Sequence, residues 1–400
     1  MIKMLFKSAA LFFAFTFGAK NLSAQPAASQ WNYDAYRKAY PEQVCRLPSS
    51  QSGKQELEPA LNFAVAGKKS TRSQRELRDD ILFVWRDLLG PSMRNTGPLD
   101  ARVLEKKDFP NFIRKKVEYI GDPGEPIRAW LFLPKNLKGK APAMLCLHQT
   151  VQEGKDQAAG LTTQPELAYG PLLAERGFVT LCPDVICFGE RYQVGGNFYC
   201  HYGDAVRIYR GNAGRSIMSK MVDDAMRAVD YLSSLSEVDK KRIGSIGHSH
   251  GGYGTLFAMA FDERIKVGVV SCGFTCFRAD PSPERWFRNT ALIPRLGGFE
   301  KKMENTPVDF HHLFAAIAPR ALFISAALHD SIFPKVGDVT WIEKDVRSVY
   351  QRDKAAENFE LFSFDGAHAF TPEARDRAWA FLDKNLKRSA PLHLKNSKNQ

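Results

Sequence analysis

The sequence predicts an α/β fold, built on a mostly parallel eight-stranded sheet with helices on both faces and preceded by an N-terminal helical extension. Three observations predict it. Short β-rich apolar runs alternate with helical stretches between residues 116 and 386, the pattern of strands joined by crossover helices. Most runs after residue 143 are apolar throughout rather than alternating, which suits strands covered on both faces. Finally, Gly247-His248-Ser249-His250-Gly251 stands where one such run ends and a helical stretch rich in small residues begins.

The elements follow in chain order. Residues 1–24 read as a secretory leader: Lys3 and Lys7, then an apolar run over residues 9–17, then small residues ending at Ser23-Ala24. The run is shorter than the ~20 residues that a spanning helix needs. The expected location is therefore secreted or periplasmic, with no membrane attachment once the leader is cut. Residues 25–115 form an N-terminal extension, polar and broken by Pro and Gly. Within it Leu77, Ile81, Leu82, Trp85, Leu88 and Leu89 recur at helical spacing until Gly90-Pro91 stops them. That is an amphipathic helix expected to pack on the main domain.

Residues 116–387 form the predicted catalytic domain. Runs 116–120 and 128–133 make a strand pair across Gly121-Asp122-Pro123-Gly124. Further strands are expected at 143–147, 178–182, 243–247, 267–271, 321–326 and 358–362. Helices are expected at 166–176, 217–235, 251–261 and 372–386. Two long irregular stretches, 187–216 and 274–309, interrupt the alternation and are candidates for active-site walls or a cap. The tail 388–400 is polar and basic and is expected to be disordered.

Composition narrows the class further. Among 400 residues, 44% are apolar and 25% charged, the balance of an ordinary globular protein. The formal charge is +12, but it is scattered in Lys-Lys and Lys-Arg pairs. Dispersed charge is read first as a solvated surface and second as an attraction for acidic polymers. With no single basic stripe visible, no nucleic-acid partner is expected. The seven cysteines are an odd number. Cys146, Cys182 and Cys272 fall in or beside core strands, and a Cys187–Cys200 disulfide is left open. No Cys and His spacing matches a zinc site, so neither metal nor cofactor is expected.

The chemistry centres on Ser249. A sharp strand-to-helix turn exposes its hydroxyl, glycines on either side leave room for the turn, and the helix N-terminus favours negative charge nearby. A serine hydroxyl needs a base. Asp330 stands just past the 321–326 strand, and His368 follows in a loop before the last helix. Serine, acid and histidine thus come in one order, each beyond a strand end. His368 would accept the serine proton, and Asp330 would orient it. Asp365 and His329 are the weaker competitors, and His311 and His312 read as surface residues at a helix start. The backbone N–H of His250 faces a developing oxyanion. The second donor is expected after strand 143–147, from Thr150 first or Gln149 second. His148 reads as a structural histidine at the pocket edge. Glu190 and Arg191 line the pocket or form a local salt bridge.

Leu147-His148-Gln149-Thr150, Gly247 to Gly251, Asp330 and Gly366-Ala367-His368 resemble the α/β-hydrolase superfamily. More narrowly, the chain is similar to secreted bacterial relatives of dienelactone hydrolase and acetyl xylan esterase, over residues 116–386. That resemblance implies a serine carboxylic ester hydrolase working through an acyl-enzyme on Ser249, His368 and Asp330, with an acylated carbohydrate as substrate. Two departures qualify it. Gln149 stands where the best-known acetyl xylan esterases carry glycine, and Ser249 stands where dienelactone hydrolases carry cysteine. A prolyl oligopeptidase-like peptidase and a non-catalytic binding protein on the same scaffold are the alternative expectations. The ~90 residues before 116 are too few for a propeller of four or more blades at ~40–50 residues each.

Overall fold

The computed structural model describes residues 73–191, 214–277, 279–334 and 340–387, together with Asp34. The expected leader, the tail after 387, Cys45, Cys200 and most of the 187–216 stretch lie outside the described residues.

Helix α1 (Gln74–Leu89) opens the described chain. Ser73 caps it, and Glu76 reaches back to the Ser73 N–H at 2.7 Å, a capping box that satisfies two end donors. Its apolar stripe is buried, with Trp85 set edge-on against Phe257 at 5.0 Å. Gln74 Nε2 donates to the carbonyls of Ala315 and Ala318 at 2.7 and 2.9 Å. The helix is thus part of the main core.

Among the described residues nine strands follow rather than the expected eight: β1 (Arg102–Asp108), β2 (Phe112–Ile120), β3 (Pro126–Pro134), β4 (Ala141–Leu147), β5 (Val179–Pro183), β6 (Val238–His248), β7 (Ile265–Ser271), β8 (Ala321–Ala327) and β9 (Phe359–Phe364). The additional strand is β1, exposed along its whole length at the sheet edge. Arg-Val-Leu-Glu-Lys-Lys-Asp has no buried face to leave a period-2 signal, so only its pairing with β2 makes it a strand. The expected boundary at 116 falls inside β2.

The strand order is β1-β2-β3-β5-β4-β6-β7-β8-β9. The first three joins are antiparallel, and all joins from β5 to β9 are parallel. Helices α2 (Lys155–Ala158), α3 (Tyr169–Glu175), α4 (Ile217–Ser234), α5 (His250–Phe261), α6 (Phe310–Ile317), α7 (Thr340–Arg352) and α8 (Pro372–Leu386) cover the two faces. The expected helix 166–176 divides into a single turn at Pro165–Leu167 and α3. The sequence reading did not mark α7.

Strand β4 shows how one core becomes two. Ala143, Leu145 and Leu147 pack in the layer of α1, α4, α5 and α6. Met144 and Cys146 point to the layer of α3 and α8. His311 and His312, expected at the surface, are buried. Every residue of α6 is buried, and His312 Nδ1 accepts the Asp309 N–H at 2.9 Å. The order in which successive strands are added reverses at β4, with β5 on one side and β6 on the other, although all three run parallel. Such a switch opens a crevice beyond the strand carboxyl ends.

Candidate active site

Ser249 sits at that crevice, between β6 and α5, with φ 55° and ψ −118°. A left-handed φ on a non-glycine residue costs on the order of 1–3 kcal/mol and persists only where its surroundings enforce it. Here the Ser249 N–H is held by the Ser271 carbonyl at 2.8 Å. The flanking glycines have a physical reason. A Cβ on Gly247 would come within 2.2 Å of the Gly251 backbone, and one on Gly251 within 2.1 Å of the Leu147 carbonyl oxygen.

His368 and Asp330 come together in the same crevice. His368 Nδ1 lies 2.7 Å from Asp330 Oδ2. Asp330 Oδ1 accepts the N–H groups of Ile332 and Phe333, both at 2.8 Å. Burial pushes the Asp330 carboxyl up, but the hydrogen bond and charge of His368 and the two N–H donors outweigh it and hold it below the usual range. An ionised Asp330 requires its partner nitrogen to carry a proton, which leaves Nε2 as the basic atom of a neutral His368. Asp365 is instead exposed and pairs with His329 at 2.8 Å.

A pocket of about 370 Å³ contains Ser249, His250 and His368 together with Gln149 and Thr150. The Gln149 N–H is engaged by Gln157 Oε1 at 3.2 Å. One of the two expected donors after β4 is thus already engaged. Tyr253, Trp286, Leu292, Ile332 and Phe333 make an apolar wall, and Arg285 and Thr290 add polar groups. Sequence reasoning named none of these individually. The 274–309 stretch supplies Arg285, Trp286, Thr290 and Leu292, so its length was the available signal.

Three expected pocket residues lie elsewhere. His148 is fully buried: Nδ1 donates to the Gln149 carbonyl at 2.7 Å and Nε2 accepts the Val185 N–H at 3.1 Å. Burial holds its pKa below the ordinary value, against the pull of the Gln149 carbonyl. Its two ring nitrogens tie the loop at Gln149 to the chain at Val185. Glu190 pairs with Lys155 and Lys116 at 2.6 and 2.7 Å. Arg191 pairs with Glu125 and Asp224, both at 2.8 Å. These ion pairs engage both side chains, and neither residue is among those that line the pocket.

His248 was not marked as a site residue, yet its ring centre lies 4.7 Å from that of His368. Its Nδ1 is 3.0 Å from Ser271 Oγ. Burial, then the neighbouring His368, pushes its pKa down to about 3, so it stays neutral beside the base. Cys272, Asp330 and His368 also bring three ligand-type atoms within 4.8 Å of one another. Burial first, then the Asp330 charge, pushes the Cys272 thiol up to about 12, so it packs there as a protonated neighbour.

Comparison with known proteins agrees with this architecture. A family model described as "Glucuronyl esterase, fungi" matches residues 189–352. YtaP of Bacillus subtilis (strain 168) is 27% identical over 268 residues, 66% of this chain and 84% of that protein. A 4-O-methyl-glucuronoyl methylesterase of Cerrena unicolor is 28% identical over 133 residues, 29% of this chain and 28% of that protein. The match to that enzyme therefore spans less than a third of its length. Among solved structures, a glucuronoyl esterase from Solibacter usitatus superposes with a TM-score of 0.63 at 19% identity, covering 82% of this chain and 97% of that one. An acetyl xylan esterase from Paenibacillus sp. R4 gives 0.51 at 21% identity, covering 79% and 100%. The chain shares the α/β-hydrolase fold of these structures, and the proteins that it resembles include glucuronoyl and acetyl xylan esterases.

Proposed function

We propose that the chain is a serine carboxylic ester hydrolase acting on carbohydrate esters, with uronoyl esters as its first substrate class, and that it works outside the cytoplasm. The observation that carries the mechanism is that His368, hydrogen-bonded to Asp330, lines one pocket with a strained Ser249. Ser249 Oγ attacks the ester carbonyl while His368 takes its proton. Negative charge builds on the carbonyl oxygen, facing the N–H groups of His250 and Thr150. His368 then gives the proton to the departing alcohol, leaving an acyl group on Ser249. Water adds to that acyl group with His368 again as base, releasing the acid and restoring the serine. Asp330 steadies the imidazolium in both steps.

The pocket walls and the relatives support this substrate class. Gln149, Thr150, Arg285 and Thr290 add polar groups to a lining of aromatic and aliphatic side chains. A sugar ring has both a hydroxyl edge and an apolar face, and matches such a pocket. The region matching the glucuronyl esterase model includes Ser249, Asp330 and the pocket-lining part of the 274–309 stretch. The leading alternative is an acetyl ester on the same carbohydrates, favoured by the acetyl xylan esterase neighbour.

The test pairs methyl glucuronate with an acetylated sugar as substrates. Ser249→Ala is expected to lower kcat by about 10⁴–10⁶-fold on either. A variant as fast as the parent would overturn the serine mechanism. A preference for the acetyl sugar in kcat/KM would overturn the uronoyl assignment alone.

A further inference from the structure

The opposite end of the sheet carries a second recess. Lys138, Lys140, Arg176, Lys241, Arg242 and Lys387 line it, and its volume is about 830 Å³. Lys138 and Lys140 precede β4, Arg176 precedes β5, Lys241 and Arg242 lie in the first half of β6, and Lys387 follows α8. These are the amino ends of parallel strands, whereas Ser249 follows a carboxyl end. From Arg242 to His248 the strand rises roughly 20 Å at ~3.3 Å per residue, so the recess is remote from the pocket.

Its charge is only partly compensated. Arg176 and Lys387 share Asp383, at 2.5 and 2.8 Å. Arg242 pairs with Asp239 at 2.8 Å and also holds the carbonyls of Lys140 and Leu386 at 2.7 and 3.1 Å. Those contacts fix the walls. Lys138, Lys140 and Lys241 are exposed and make no ion pair among the described residues. A concave surface with this surplus focuses positive potential and raises the local concentration of anions. Four of the six cations are lysines, and no aromatic side chain among the described residues lines the recess. It therefore has point charges for separated carboxylates and no stacking platform for bases.

We propose that this recess is a second binding site, for a stretch of anionic polyuronate. The proposal rests on the uronoyl ester reading of the catalytic pocket. Hydrolysis of a uronoyl ester adds water across the acyl–oxygen bond, releases the alcohol and leaves a carboxylate on the sugar. A neutral unit thus becomes an anionic one, and the recess holds stretches whose carboxylates are already free. The enzyme stays on its polymer while the pocket works on units that remain esterified.

The experiment uses the full chain carrying Ser249→Ala, so that ligand is not consumed, and polygalacturonate as probe, with neutral xylan and duplex DNA as comparisons. Retardation in gels containing each polymer gives the affinity. Polygalacturonate is expected to retard the protein at about 0.05 M salt and to lose its hold at about 0.3 M, where screening is short-ranged. Combined Lys138→Glu, Lys140→Glu and Lys241→Glu substitutions are expected to weaken retention at least tenfold. The corresponding three Lys→Gln changes should give an intermediate loss with an unchanged thermal midpoint. On the active background, the same changes should leave kcat/KM on methyl glucuronate within about twofold of the parent. Retention of polygalacturonate unaltered by both triple variants overturns the proposal, as does tighter retention by DNA than by polygalacturonate. Failure of the active parent to cleave methyl glucuronate removes the uronoyl reading while retention still reports on the recess, so the two failures are distinguishable.

Discussion

At the scale of single residues, the site depends on keeping one imidazole basic beside another that stays uncharged. His248 and His368 are ring neighbours, and a proton on His248 would oppose the imidazolium that His368 becomes during turnover. Its groups nearby are His368, Asp330 and Ser271. The same burial has a stability consequence. A histidine whose folded pKa is depressed to about 3 leaves stability intact above its unfolded value near 6.5. As pH falls below that value the unfolded chain binds a proton that the folded chain refuses, and stability is lost down to the folded pKa. Between about pH 6.5 and about pH 4.5 the loss is on the order of 2–3 kcal/mol. His248→Phe keeps a ring and removes the titration. Urea midpoints at these two pH values should therefore converge in the variant relative to the parent. An equal acid loss in both proteins would show that His248 is protonated in the fold.

Elements explain why some of this was legible and some was not. The Gly-x-Ser-x-Gly turn could be read because two glycines are demanded by backbone contacts of about 2 Å, a constraint that leaves a mark on the sequence. Helix α1 could be read because its buried stripe repeats at helical spacing. Strand β1 could not, since an exposed edge strand needs no apolar face. Helix α6 was misjudged at His311 and His312 because a helix buried all round hides which polar side chains have partners. Glu190 and Arg191 were left between two readings because their ion partners, Lys116 and Glu125 among them, are distant in sequence. Helix α1 also carries a prediction of its own. Trp85 is fully buried against Phe257, Phe277 and Phe310. Trp85→Ala is expected to cost about 3–5 kcal/mol, the range for removing a buried aromatic side chain. Denaturant unfolding measures it, and a cost under about 1 kcal/mol would mean that α1 is an appendage rather than part of the core.

Across the whole molecule, charge falls into two populations that salt should separate. One is buried. Lys155 bonds Asp184 at 2.8 Å, and Lys220, fully enclosed, faces Asp122, Glu125 and Asp224 within 3.3 Å. Arg215 joins the set through Asp122 and Asp223 at 2.8 and 2.7 Å. The other population lines the open recess at the amino ends of the strands. Mobile ions screen exposed charges over a Debye length of about 8–10 Å and reach enclosed pairs far less. Raising salt from about 0.05 to about 0.5 M is therefore expected to abolish polyanion retention while moving the thermal midpoint by only about 1–2 °C. Breaking the buried set should do the reverse. Asp184→Asn removes the enclosed partner of Lys155 but leaves Glu190 at 2.6 Å, and is expected to cost about 1.5–3 kcal/mol, with retention on polygalacturonate unchanged. Scanning fluorimetry and retention gels on the same preparations measure both quantities. A midpoint that falls in step with retention as salt rises would place the ion network in contact with solvent and overturn this division.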